Sequence, residues 1–212
     1  LMKRALVVST WFPYPLSQGS KIRAYHLIRA LSGHYEITLV SFADEKIEPA
    51  WIEHISAFCS RIEIINQAPF VKDRWKSLLG WLSPLPSSIY AGYSRPMQKK
   101  IKQIATSWKP DIAIAFTVIT APYLMDIDQC PKILDIDNVL TRMLHEAYRQ
   151  AVGFAGRLRT WAAWKKFFFF EKRTCKQFDL CLNVSNADRD WVSQHLSIPI
   201  ERLGVVPNGV DL

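Results

Sequence analysis

Cysteine is scarce and unpatterned in this chain. Cys59, Cys130, Cys175 and Cys181 form no C-x-x-C pair and have no histidine at zinc-ligand spacing, which argues against a cysteine–histidine zinc module. All four fall in apolar segments and are expected to serve as small core side chains in a reducing compartment. A G-x-G-x-x-G fingerprint is absent, so there is no direct sign of a dinucleotide-binding turn. Internal repeats and low-complexity tracts are missing too, which argues against disorder. No apolar run suits a bilayer crossing. Residues 77–94 are uncharged, but Gly80, Pro84, Pro86, Gly92 and five serines make a poor spanning helix, and the uncharged stretch 112–125 is too short. Met2, Lys3 and Arg4 run straight into a strand-like segment, so no signal peptide is expected and the chain is assigned to the cytoplasm.

What is present describes one large domain. The 212 residues are 49% hydrophobic and 22% charged, enough to bury a core without staples. Lysine and arginine total 27 against 19 acidic residues, giving a net charge of +8. Such an excess suits anionic partners (nucleotide phosphates, lipid head groups or nucleic acid) or a merely well-solvated surface. Charge alone does not choose among these.

Short β-branched runs alternate with longer helical stretches, the pattern of β-α-β units. Strands are expected at residues 5–9, 37–42, 62–65, 111–116, 132–136, 180–184 and 204–206. Helices are expected near 20–31, 49–58, 97–108, 155–177 and 186–196, with an irregular helical excursion at 72–94. The first strand shows no polar alternation, as when helices cover both sheet faces. The fold class is therefore α/β: a doubly wound, mainly parallel, Rossmann-like sheet of about seven strands, with its site beyond the strand carboxyl ends.

Three loops at those ends carry polar groups. Gln18, Gly19 and Ser20 open a helix that Ser20 is placed to cap; the glycine admits close backbone approach and the helix start offers N–H groups to a phosphate, although a plain tight turn reads the same way. Asp135, Asp137 and Asn138 leave the fifth strand. Asp137 or Asn138 either caps the next helix or points into a cleft to hold a substrate hydroxyl. Asn183, Val184 and Ser185 lead into a serine-initiated helix; their match to a glycosylation sequon is read as accidental.

Taken in order, several stretches resemble the N-terminal half of family 4 retaining glycosyltransferases of the two-domain GT-B type, particularly those of bacterial exopolysaccharide and PEP-CTERM-associated clusters. They are Phe12-Pro13-Tyr14-Pro15 through Gly19, residues 21–31 and 36–40, Lys109-Pro110-Asp111-Ile112, Asp135-Ile136-Asp137-Asn138-Val139, Phe178-Asp179, residues 184–188 and Val205-Val206-Pro207-Asn208-Gly209-Val210-Asp211. The resemblance implies that residues 1–205 form the acceptor-side domain, that 206–212 begin an interdomain linker, and that a C-terminal donor-binding domain lies outside this chain. It also implies a hexosyltransferase-type reaction from a nucleotide-sugar donor to a saccharide or lipid-linked acceptor in cell-surface polysaccharide or glycolipid synthesis. Neither a cofactor nor a metal is implied. The loop of Gln18, Gly19 and Ser20 would face the donor diphosphate, Asp137 would be catalytic, and Asp135, Asn138 and Ser185 would line the acceptor cleft. Two features depart from the family: many relatives have two adjacent glycines where this chain has Gln18-Gly19, and many have a histidine where it has Asp137. The family's paired glutamates belong to the other domain; Glu45 and Glu53 match their spacing by coincidence and are expected at the surface.

Residues 154–176 carry an unusual load of rings and cations. Phe154, Leu158, Trp161, Trp164, Phe168 and Cys175 share one helical stripe, and Arg159, Lys166 and Arg173 recur every seven residues beside it. Phe167, Phe168, Phe169 and Phe170 put aromatics all round the helix, so part of it must be buried on more than one side. It is either a core helix with snorkelling cations or a surface that meets anionic membrane, extended by Trp75, Trp81, Lys72, Arg74 and Lys76. The second reading puts the protein on the inner face of the plasma membrane as a peripheral enzyme. No nucleic-acid-binding motif is present. The alternative function is a non-catalytic Rossmann-like module docking on membrane or a protein partner; the coding sequence beyond Leu212 discriminates the two.

Overall fold

The computed structural model describes residues 2–43, 45–67, 80 and 83–208. Among the described residues seven strands form one sheet: β1 (Lys3–Ser9), β2 (Tyr35–Phe42), β3 (Arg61–Ile65), β4 (Ile112–Phe116), β5 (Lys132–Ile136), β6 (Leu180–Asn183) and β7 (Leu203–Val205). Their order is β3-β2-β1-β4-β5-β6-β7 and every pairing is parallel. Parallel neighbours need crossovers; between β4 and β5 the chain has only the 3-10 turn Ala121–Tyr123, and elsewhere α-helices supply them. These are α1 (Gly19–Ser32), α2 (Pro49–Ser56), α3 (Ser87–Gly92), α4 (Arg95–Trp108), α5 (Leu140–Gln150), α6 (Phe154–Lys176) and α7 (Asn186–Leu196).

The side-chain alternation of β1 divides the core. Leu6 and Val8 join the cluster that buries Ile101 and Ile104 of α4, Cys175 of α6 and Leu196 of α7. Ala5 and Val7 point the other way, against Tyr25 and Ile28 of α1 and Ile55 of α2. A strand covered on both faces has no polar positions to alternate, which explains its continuous apolar sequence. Of the excursion expected at 72–94, residues 72–79 and 81–82 lie outside the described residues; residues 87–92 form the short helix α3.

Two helix starts differ from expectation. Ser20 does not cap α1: Gln18 is the N-cap residue and makes no side-chain cap bond. Ser20 lies one position inside the helix, where its hydroxyl is drawn to Asp137 instead. Neither Asp137 nor Asn138 caps α5. The Glu171 carboxylate of α6 does so from outside, accepting from the Leu140 N–H at 3.1 Å and the Thr141 N–H at 2.8 Å. Burial pushes the Glu171 carboxyl up, opposed by its hydrogen bonds to Thr141 and Leu140.

Strand order reverses between β1 and β4, with β2 and β3 on one side and β5 to β7 on the other. In open parallel sheets the crevice for a ligand forms at such a switch point, outside the strand carboxyl ends.

Candidate active site

Two carboxylates leave β5 on one face, because residues two apart on an extended chain point the same way. Helix α1 meets them with residues three apart, which share a helical face. Ser20 donates its hydroxyl hydrogen to Asp137 Oδ2. One turn further on, Arg23 grips Asp135 with two donors, Nε to Oδ2 at 2.9 Å and Nη2 to Oδ1 at 2.6 Å. The Asn138 amide also donates to Asp137 Oδ2, at 3.2 Å.

Their exposure separates the two carboxylates. Asp135 is 1% exposed, whereas Asp137 is half-buried and Asn138 exposed. Burial pushes the Asp135 carboxyl up; the Arg23 guanidinium pulls it back down, and the charge of Asp137 adds to the rise. Asp135 is thus a buried anchor, and Asp137 and Asn138 form the part open to solvent.

Beside this cluster is a cleft of about 380 Å³ lined by Gly19, Ile22, Arg23, His26, Val206 and Asn208. Helix α1 opens into it without an acidic residue in its first turn. The first N–H groups of a helix have no intrahelical acceptor, so they are free for an anion. A Cβ built on Gly19 meets nothing within 4 Å. The fold itself therefore does not require glycine at this position, and any requirement must come from a ligand.

At the switch point, Thr10 and Thr117 follow β1 and β4. Their hydroxyls are 2.7 Å apart, and the Thr117 N–H donates to the Asp135 carbonyl at 3.0 Å. Thr117 adopts a φ of 73°, a backbone region that a β-branched residue rarely enters. Neither threonine was marked by sequence, since only a glycine or asparagine would have signalled a positive φ. Arg23 was missed as well: its value lies in partners more than a hundred residues away.

The family 4 glycosyltransferase model matches residues 17–212, more than nine-tenths of the sequence. The chain belongs to glycosyltransferase family 4. Among curated proteins no match is found for this family 4 domain. Solved structures share its fold. The lipopolysaccharide outer core galactosyltransferase WaaB in apo form is 14% identical with a TM-score of 0.51, over 99% of this chain and 46% of that one. A Polygonum tinctorium UDP-glucosyltransferase that glucosylates indoxyl gives 11% and 0.54, over 99% and 53%. Phytolacca americana UGT2, complexed with UDP-2fluoro-glucose and pterostilbene, gives 10% and 0.52, over 98% and 54%. The chain spans about half the length of these proteins and has the Rossmann-like fold of a GT-B N-terminal half.

The remaining expected site residues of the family 4 domain are placed as follows. Gln18 is exposed just ahead of α1. Ser185 caps α7, accepting from the Asp188 N–H at 3.1 Å and donating to Asp188 Oδ2 at 2.7 Å; Asp188 in turn pairs with Arg142 of α5 at 2.9 Å. Ser185 is thus engaged by Asp188 within its own helix start and shares with the Asp137 group a place at neighbouring strand ends. Glu45 and Glu53 are exposed, and Glu45 accepts from the buried Lys21 ammonium at 2.8 Å.

Helix α6 is neither wholly core nor wholly surface. Its C-terminal half is anchored by Phe170, Glu171, Thr174 and Cys175, all buried. In the other half, Phe154 is 84%, Leu158 51% and Trp161 43% exposed. Trp164 is not available to a partner in the same way; it stacks on His145 and Tyr148 of α5, with ring centroids at 4.6 and 5.7 Å. Arg159 and Arg173 are exposed, whereas Lys166 is half-buried and donates to the Gly80 carbonyl at 3.0 Å. Arg173 also lies roughly 21 Å along the helix from Arg159, at 1.5 Å per residue, too far to share one patch. The three cations therefore do not form one exposed patch, and the apolar surface gathers around Phe154, Leu158 and Trp161 with Arg157 and Arg159. Trp75, Trp81, Lys72, Arg74 and Lys76 lie outside the described residues. Among the described residues no helix is long and apolar enough to cross a membrane, and no three acidic, histidine or cysteine side chains cluster as metal ligands.

Proposed function

We propose that this domain is the acceptor-side half of a retaining hexosyltransferase of the two-domain type, acting in cell-surface polysaccharide or glycolipid synthesis. Its donor is a nucleotide-sugar and its acceptor a saccharide or lipid-linked saccharide. Residues 206–212 begin the linker to a C-terminal domain that holds most of the donor. The carrying observation is the Ser20–Asp137–Asn138 group beside the open start of α1. There the N–H groups at Gly19 and Ser20 face the donor diphosphate, with Gln18 at the rim. Asp137 accepts a hydrogen bond from a sugar hydroxyl, which a carboxylate does well and a histidine would do differently. Asp135, locked to Arg23, fixes the strand end that carries Asp137, while Asn138 and Ser185 border the acceptor side.

The test is transfer by the two-domain protein from a panel of nucleotide-sugars. Residues 1–212 alone are expected to fold, to give no turnover, and to gain little thermal stability from millimolar donor. Turnover by the single domain, or none by the two-domain protein with any donor, overturns the proposal.

A second reading adds a cytoplasmic membrane surface as the resting place of the enzyme. It is favoured by Phe154, Leu158 and Trp161 standing exposed beside Arg157 and Arg159, with Tyr148 completing an open groove. Apolar rings for the acyl boundary and cations for anionic head groups are the two requirements of interfacial binding.

A further inference from the structure

The guanidinium of Arg23 spans three parts of the fold. Nε and Nη2 hold Asp135 at the end of β5, while Nη1 reaches the other way, to the Val206 carbonyl at 2.7 Å and the Asn208 side-chain oxygen at 2.8 Å. Val206 is the first residue after β7. Its N–H still joins the sheet, donating to the Asn183 carbonyl at 2.9 Å, but Pro207 has no N–H with which to continue the ladder. From that point Arg23 takes over from the sheet in holding the outgoing chain.

The arginine side chain is 3% exposed and that of Asp135 2%. A buried bidentate pair is geometrically strict, because the planar fork fits its carboxylate in one orientation. With Asp135 setting that orientation, Nη1 is aimed at segment 206–208. Three residues before Arg23, Ser20 holds Asp137. We propose that Arg23 is a positioning residue: it latches segment 206–208 to the carboxyl end of β5, so that the direction in which the chain leaves this domain and the placement of Asp137 are set together. The consequence for catalysis rests on the reading of 206–212 as the start of an interdomain linker; the latch itself does not.

Removing the guanidinium outright would strand Asp135 as a buried unpaired charge and threaten the fold. The informative variants are milder. Asn208→Ala removes one outer contact from an exposed residue. Arg23→Lys keeps a charge for Asp135, yet one ammonium on a flexible stem does not reproduce the fork. Hydrogen exchange by mass spectrometry on residues 1–212 is expected to rise about tenfold in the peptide carrying Val206 and Asn208 in both variants. In Asn208→Ala the β5 peptide should keep its wild-type protection. Unchanged exchange after position 205 in both variants overturns the latch, and that result does not depend on catalysis. In the two-domain enzyme, Asn208→Ala is expected to raise the donor KM about tenfold with kcat within about twofold, since the donor is shared between domains. Wild-type kinetics in a variant whose segment has loosened overturns the coupling while leaving the enzyme reading intact.

Discussion

Ser20 in the first turn of α1 donates to the carboxylate of Asp137, 117 residues further along the chain. The contact joins the helix start to the end of β5 at the point where a ligand would enter. In the two-domain enzyme Asp137→Asn should lower kcat/KM by about two orders of magnitude, because the amide keeps the shape but loses the charge. Ser20→Ala, which frees the same carboxylate, should have a smaller effect of about tenfold. Steady-state assays of both, with circular dichroism to verify folding, check this. Equal, wild-type rates would remove Asp137 from the reaction.

Gly19 separates fold from ligand. Since an added Cβ meets nothing within 4 Å, Gly19→Val should change the unfolding free energy of the domain by under about 1 kcal/mol. The same substitution should abolish most transfer by blocking backbone approach to the diphosphate. Urea denaturation and an activity assay on the same preparation test the pair. A large stability loss would show that the position serves the fold.

Thr117 permits a test of backbone strain by comparing two truncations. Both Thr117→Ala and Thr117→Gly lose the hydroxyl contact to Thr10, but only glycine accepts a φ of 73° freely. The glycine variant should be the more stable by about 1 kcal/mol, the reverse of the usual order of these residues in regular structure. Chemical denaturation of the two would settle it, and a more stable alanine variant would mean that the backbone is not strained.

The exposed half of α6 predicts salt-dependent lipid binding. Changing Arg157 and Arg159 to Gln should weaken co-sedimentation with anionic vesicles about thirtyfold, taking about 1 kcal/mol for each cation near the surface. Added salt should erase the difference. Equal binding to neutral and anionic vesicles, or none to either, removes the membrane role.

Cys59 and Tyr123 make the domain sensitive to base. Burial pushes the Cys59 thiol up to about 12, and the Tyr123 phenol, chiefly by burial, also to about 12. Both folded values lie above the unfolded ones, so the neutral forms contribute stability that is fully present below pH 9. That contribution falls away as pH rises toward 12, where the unfolded chain has already ionised. Thermal melts from pH 8 to 11 should show the decline, with a shallower slope for Cys59→Ala. Near neutrality only the half-buried Cys130 should accept a thiol reagent in the folded state, since Cys59, Cys175 and Cys181 are buried.

The central strands β1 and β4 were legible because they are buried on two faces and so read as unbroken apolar runs. Asp137 was legible as a carboxylate just beyond a strand. What escaped was decided by distant partners. Ser20 has the chemistry of an N-cap, yet Asp137 competes for its hydroxyl. The cap of α5 comes from Glu171, thirty residues on, and no local pattern announces it. Arg23 resembles any helix arginine until the fold brings Asp135 and Val206 to it. In α6 the ring of phenylalanines marks burial without saying which ring is buried: Phe170 is packed in the core, with Cys175 further along the helix, while Phe169 stands exposed.

The strand order also governs how the protein emerges from a ribosome. One side of β1 pairs with β2 early, but its other side waits for β4, which begins at Ile112. At about 5–20 residues per second, the gap between the end of β3 at Ile65 and the end of β4 at Phe116 lasts several seconds. Throughout that interval Ala5, Leu6, Val7 and Val8 present an apolar, unpaired strand edge on a half-built sheet. The nascent chain is therefore most open to misassociation just before its fourth strand appears, and chaperone dependence should be greatest for intermediates stalled within residues 66–111.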